Sequence, residues 1–342
     1  MLPIFDGHND ALTRRDHALI AEGRPDGDLD LPRMDAGGVR GAIFAVFSEQ
    51  TESARDVPVP RDDDVLEFAY APPADHTFAA ADATAVAGRL HRLERQGHVR
   101  LARAAADLDA AVEGGPPVAV LHLEGVEALD AELEALDLWY EAGLRSLGPV
   151  WSRANAFGYG VPFIFPSSPD TGPGLTAAGR QLVRRCAELG ILVDVSHLNE
   201  AGFWDLVRLE PGPVVASHSA AHALCPASRN LTDRQLDAIG VSGGLVGIVF
   251  AAPFLRADYE DTADTPISLI ADHARYVADR IGAEHVALGS DFDGATVPAA
   301  LGGVGGMPKV LDALRDAGFA EPEVESVAWG NWRRVLGAWW VS

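Results

Sequence analysis

The 342 residues are 48% hydrophobic and 23% charged, a balance that fits a globular protein with a large buried core and excludes disorder as its dominant state. The net charge of −23, from 27 basic and 50 acidic side chains, opposes phosphate backbones and argues against a nucleic-acid partner. Met1 to Asp6 form neither a basic nor an apolar leader region, and no uncharged apolar run approaches the ~20 residues of a membrane span, so a cytoplasmic protein with no membrane partner is expected. Two cysteines, Cys186 and Cys225, are too few for a disulfide framework and read as buried, reduced thiols.

In chain order, short apolar runs predict strands at residues 3–5, 41–47, 118–123, 145–150, 191–195, 214–217, 244–250 and 286–289. Several are continuously hydrophobic, the pattern of parallel strands covered on both faces. Helix signals lie between them. Residues 62–96 carry Ala, Leu and Arg at helical spacing, broken at Pro72-Pro73. Residues 130–142 are amphipathic and stop at Gly143; 176–189 start at a Thr cap and stop at Gly190; 232–239 start at Thr232 and stop at Gly240. Helices at 266–281 and 307–317 follow, and 321–340 reads as one last helix whose Trp329, Trp332, Trp339 and Trp340 would pack on the core or on a partner subunit. The loop at 161–174 reads as a pocket wall, and the Gly-rich loop at 299–306 as a mobile one. Strands alternating with helices predict a single α/β domain over residues 1–342, either a (β/α)8 barrel or a doubly wound sheet; the pattern does not separate the two.

The residues able to bind metal fall at the ends of these strands. His8 and Asp10 follow the first, Glu124 the third and His197 the fifth; His218 ends the sixth and Asp291 follows the eighth. In a parallel barrel that end carries the active site. Along an extended segment residues i and i+2 share a side, so His8 and Asp10 can reach one ion. An isolated His-x-Asp is more often incidental, and a lone His after an apolar run is more often a core residue. Two such histidines on successive strands, with further ligands on the first and third, reverse that balance. Three imidazoles and two carboxylates suit zinc or another borderline divalent metal such as manganese or iron, and they exceed the protein ligands of one catalytic zinc, which favours a bridged pair. Asp291 could carry a proton, against a turn reading that fits Asp293-Gly294 better. Arg229 could hold a substrate carboxylate, against a surface ion pair. The remaining histidines, at 17, 76, 91, 98, 122, 222, 273 and 285, read as structural, with His222 nearest the presumed pocket.

The motifs DGHND (6–10), LEG (123–125), DVSH (194–197), SHSAAHALCPASRN (217–230) and GSDFDG (289–294) occur in an order and spacing that resemble the membrane dipeptidase family, from Asp6 to the segment Asn331-Trp332-Arg333-Arg334-Val335-Leu336. The resemblance implies a (β/α)8 TIM barrel and two zinc ions. His8 and Asp10 would bind one ion, His197 and His218 the other, and Glu124 would bridge them. It implies Asp291 as the proton-transfer acid/base, Arg229 on the substrate's C-terminal carboxylate, and attack by a hydroxide bridging the metals. Dipeptides, often with a D-residue in second place, are the implied substrates, and a homodimer of the cytoplasmic bacterial type is the implied form. One position departs from the family. Where it commonly has a His near the scissile carbonyl, this chain has Trp151, whose indole N–H donates one hydrogen bond and cannot ionise. Trp151 and nearby Arg153 are therefore candidate substrate contacts. The departure keeps a second reading open, a binuclear metal hydrolase of another amide or lactam, and a non-catalytic scaffold barrel is a third.

Overall fold

A computed structural model describes residues 1–48, 59–60, 65–68 and 72–340. Each predicted apolar run overlaps a strand. β1 (Ile4–Asn9), β2 (Val39–Val46), β3 (Val118–Glu124), β4 (Leu144–Gly148) and β5 (Leu192–Val193) lie side by side in chain order, all parallel. β6 (Val215–Ser219), β7 (Leu245–Ile248) and β8 (Val286–Leu288) form a second parallel sheet. Isolated parallel bridges join the two sheets at both seams, Asp194 with Val215 and Asn9 with Phe292. The Val195 N–H donates to the Val215 carbonyl at 2.8 Å, and the Asp10 N–H to the Phe292 carbonyl at 2.9 Å. This is a parallel α/β fold of barrel type, and its strands are buried on both faces, which is why their sequences are continuously apolar.

The helices follow their caps with four corrections. The stretch 62–96 is not one helix. Leu66–Glu67 is a short strand, paired with Val59–Pro60 and Ile164–Phe165 in a small antiparallel patch, and the helix His76–Arg95 begins only where Asp75 accepts from the Phe78 N–H. Residues 62–64 and 69–71 of that prediction lie outside the described residues. The helix predicted from 130 begins at Glu134, because the Asp130 carboxylate caps it from outside through the Glu134 and Ala135 N–H groups. The helix Asp233–Val241 runs through Gly240 rather than ending there; a Cβ on Gly240 would sit 3.0 Å from Ile281, so this glycine serves close helix packing. The segment 321–340 is split by a π turn at Ser326–Gly330 into Glu321–Glu325 and Asn331–Trp339.

The last helix and the π turn before it pack against the sheet at β1, β7 and β8. Trp329, Trp332, Trp339 and Trp340 are all buried. Trp332 meets Phe5 at 5.4 Å and donates its indole N–H to the Leu288 carbonyl at 3.0 Å; Trp339 and Trp340 donate to Pro213 and Arg145. The loop at 299–306 is not mobile in character. It forms two 3-10 turns with Leu301 and Val304 buried, and the Val304 N–H donates to the Asp28 carbonyl at 2.8 Å. Cys186 and Cys225 are free, buried thiols, as read from the sequence. Among the described residues no helix is long and apolar enough to cross a membrane.

Trp332 is the largest side chain that the core encloses completely. Trp332→Ala is expected to cost about 3–5 kcal/mol, from lost apolar burial plus an uncollapsed cavity. Urea unfolding monitored by circular dichroism measures this, and an unchanged midpoint would show that the last helix is not part of the core.

Candidate active site

The strand ends bring the predicted ligands together. His8, on β1, and Asp10, just past it, come 3.8 Å apart, and His8 Nε2 lies 3.5 Å from Glu124 Oε1 at the end of β3. The same Glu124 oxygen lies 2.9 Å from His197 Nε2 and 3.5 Å from His218 Nε2. Two triads therefore share Glu124: His8, Asp10 and Glu124, and Glu124, His197 and His218, each with ligand atoms within 4.8 Å of one another. All five side chains are buried.

The residues fit a cation. Neither ring nitrogen of His8 has a hydrogen-bond partner among the described residues. The Nε2 atoms of His197 and His218 face each other at 3.0 Å, so at most one can carry a proton between them. Burial alone would lower the His8 pKa, but Glu124, Asp10 and Asp291 outweigh it and raise it to about 10. Without a metal, the carboxylates thus draw a proton to the place where a cation belongs. Burial, then the Arg229 charge, lowers His197 to about 4; burial, then His8, holds His218 well below the usual histidine range. Both are therefore neutral imidazoles, the form that binds metal. Burial would raise Glu124, yet His8 and His197 hold it well below the ordinary glutamate value. Three imidazole nitrogens and two carboxylates are a donor set for divalent metal. The outer nitrogens of two of the three histidines are held by hydroxyls: His197 Nδ1 by Ser152 at 2.9 Å and His218 Nδ1 by Ser217 at 2.8 Å.

Asp291 follows β8 in the left-handed region, at φ 62°, and its N–H donates to the His8 carbonyl at 3.0 Å. Its carboxyl lies against Asp10. Removal from water pushes it up to about 6, with His8 opposing and Glu124 adding to the rise. Gly294 makes this approach possible, since a Cβ there would sit 2.1 Å from Asp10 Oδ2 and 2.5 Å from Asp291 Oδ1. Asp293 has the turn role read from the sequence: it accepts from Arg24 Nη1 at 2.9 Å and from the Asp28 N–H at 2.8 Å.

These groups open into a cavity of about 530 Å³. Arg229 is buried in its wall, with Nη1 on Ser219 Oγ and Nη2 on the His218 carbonyl, both at 2.9 Å, and its Nε has no partner among the described residues. Trp151 lines the cavity 5.8 Å from the His197 ring, in an aromatic wall with Phe47 at 5.0 Å and Phe163 at 5.7 Å. Phe163 comes from the loop read as a pocket wall. Arg153 is not brought to the cavity. It lies behind the aromatic wall, with Nε donating to Glu127 at 2.6 Å and Nη2 to the Ser48 carbonyl at 2.9 Å. His222 is also elsewhere, bonded to the Ser167 carbonyl at 2.9 Å.

Three buried residues beneath the site were missed. His122 on β3 bonds Ser146 at 2.8 Å, Asp194 follows β5, and Asp6 on β1 accepts from the Ser290 N–H and hydroxyl, both at 2.8 Å. Burial raises Asp6 to about 7 and lowers His122 to about 4. The alternation of strands was the available signal, because Asp6 and His122 precede His8 and Glu124 by two positions and so share their face. Gly294→Ala is expected to fold, because the residue lies in a loop, yet to weaken metal binding by ~10–100-fold through displaced Asp10 and Asp291. Metal analysis after dialysis checks this, and full retention would sink the steric argument.

A profile of the membrane dipeptidase family, peptidase family M19, matches residues 1–339. An uncharacterised protein of the pqqA 5′ region of Klebsiella pneumoniae is 48% identical over 244 residues, 71% of this chain and 90% of that protein. A metallo peptidase from Rhodobacter sphaeroides, solved with a phosphinate mimic of the dipeptide L-Ala-D-Ala, aligns with a TM-score of 0.94 at 43% identity over 99% of both chains. A further metallo peptidase of family M19, dipeptidase AC, aligns with a TM-score of 0.92 at 43% identity, again over 99% of both. The chain belongs to the membrane dipeptidase family, peptidase family M19, and is a metallo-dipeptidase.

Proposed function

We propose that this chain hydrolyses dipeptides with a free C-terminal carboxylate, L-Xaa-D-Xaa among them, using two zinc ions. The observation that carries the reading is a single Glu124 oxygen within 3.5 Å of imidazoles from both triads, with Arg229 in the wall of the same cavity. Eight strands closed at two bridged seams support one (β/α)8 barrel over residues 1–342. A cytoplasmic homodimer completes the proposal, on the family resemblance.

His8 and Asp10 would hold one ion, His197 and His218 the other, with Glu124 between them. The chemistry a bound pair supplies is polarisation of the scissile carbonyl and acidification of the attacking water. Two Arg229 donors are occupied by Ser219 and the His218 carbonyl, and the still uncompensated guanidinium takes the substrate carboxylate with its remaining N–H groups, which limits substrates to short peptides. Asp291 receives the proton of the attacking water and delivers it to the departing amine. Its carboxyl lines the cavity beside Asp10, where it can reach both the water and the amine. Trp151 and Phe163 exclude water on the opposite side and pack the substrate side chain.

The aromatic wall favours one second reading, hydrolysis of another amide or lactam, in which dipeptide cleavage is incidental. Metal analysis paired with a library of L,L and L,D dipeptides, N-acyl amino acids and lactams decides between them. Two zinc equivalents with dipeptide turnover are expected; lactam turnover with inert dipeptides would establish the alternative. Asp291→Asn should lower kcat by ~100-fold or more with metal content unchanged, and retained turnover removes Asp291 from proton transfer. Arg229→Ala should lower kcat/KM by roughly 10–100-fold, mainly through KM, because a charge-assisted hydrogen bond is lost. An unchanged KM would place the carboxylate elsewhere.

A further inference from the structure

Asp194 lies beneath the site, buried, and touches neither the cavity nor any of the five metal-type residues through a direct hydrogen bond. Four donors converge on its carboxyl group. Oδ1 accepts from the Ser196 N–H at 3.0 Å, the Ser196 hydroxyl at 2.7 Å and the Ser217 N–H at 2.8 Å; Oδ2 accepts from the Ser217 hydroxyl at 2.5 Å. A serine hydroxyl has one proton to give. Ser217 gives it to Asp194, so toward His218 Nδ1, 2.8 Å away, the same oxygen can only accept. The Nδ1 of His218 therefore carries the ring proton, and its Nε2 presents a bare lone pair at Glu124 and His197.

We propose that Asp194 is a positioning residue that sets the tautomer of His218 through Ser217, and so makes the second cation site competent before any ion arrives. The proposal rests on the reading of His218 as a metal ligand. It explains why a carboxylate is buried here, since a donor in its place would reverse the direction of the chain of bonds. Ser217 and His218 lie at a register irregularity of β6 against β7, between Ala216 and Ser219.

Asp194→Asn tests this with the shape preserved. Two backbone N–H groups already point at Oδ1, so the amide nitrogen cannot sit there without opposing donors. It must face Ser217, which then accepts from the amide and donates to His218 Nδ1. The ring proton moves to Nε2, where it blocks the metal. The experiment takes the full chain, freed of metal by chelation and carrying 15N-labelled histidine, and reads the His218 tautomer by long-range 15N–1H NMR, with the signal assigned by its absence in His218→Gln. Zinc titration follows. The wild type should give the Nδ1–H form and two tight equivalents. Asp194→Asn should give the Nε2–H form and weaken one equivalent by about 10–100-fold while thermal unfolding stays cooperative. Ser217→Ala, which removes the acceptor but leaves Asp194, should give a mixture of tautomers and an intermediate loss. An Nδ1–H His218 in Asp194→Asn, or undiminished zinc affinity, overturns the proposal. A wild type that holds the Nδ1–H form but takes no zinc supports the relay and defeats the functional reading instead.

Discussion

One oxygen of Glu124, within 3.5 Å of imidazoles carried by three separate parts of the chain, is the contact on which the architecture turns. A carboxylate in a poorly solvated interior is costly unless a cation answers it. Here Asp10 and Asp291 add to the same negative field, so the demand for positive charge belongs to the fold itself. The seam that joins the two sheets is made by the same residues. The Asp10 N–H bonds the Phe292 carbonyl and the Asp291 N–H bonds the His8 carbonyl, so two of the proposed ligands and the proposed acid/base flank the bonds that join β1 to the segment after β8. The bonds at this seam and this half of the site therefore share the same residues. At the other seam Asp194 pairs with Val215, beside the histidines of the second triad.

Much of this was legible because the chemistry sits in local motifs. His8 and Asp10 are two residues apart on one strand, and Glu124, His197 and His218 each end an apolar run, so strand order alone predicted a common rim. The strands themselves were legible because burial on both faces leaves continuously apolar sequence. What failed was set by distant partners. Arg153 is near the cavity in sequence terms, but Glu127, 26 positions away, turns it behind the aromatic wall. Gly240 looked like a helix stop because no local signal reveals the Ile281 side chain packed against it. The Gly-rich loop at 299–306 looked mobile because its anchor, the Asp28 carbonyl, lies nearly the whole chain away. The π turn after Glu325 has no local residue that demands it, and the sequence offers no account of it.

The site also shows how one fold separates incompatible demands. At the C-terminal ends of the strands the interior is polar: Asp6, His122, Asp194, Ser217 and Ser290 are buried there with hydrogen bonds directed to one another or to the backbone. Such a layer fixes geometry well, but each member that loses its partner becomes a liability, so it adds specificity more than stability. Apolar packing is made by the residues that alternate with them on β1, where Phe5 packs against Trp329 and Trp332. The two layers meet on β1. Phe5 faces the tryptophans, Asp6 holds Ser290, Gly7 leaves room for the Trp332 ring, a Cβ there meeting it at 2.4 Å, and His8 reaches the metal-type cluster. Within four residues the chain passes from the aromatic packing around Phe5 to His8, one of the proposed ligands. A shift of β1 by one position would cost both at once, because alternation would turn Phe5 and His8 to the wrong neighbours together.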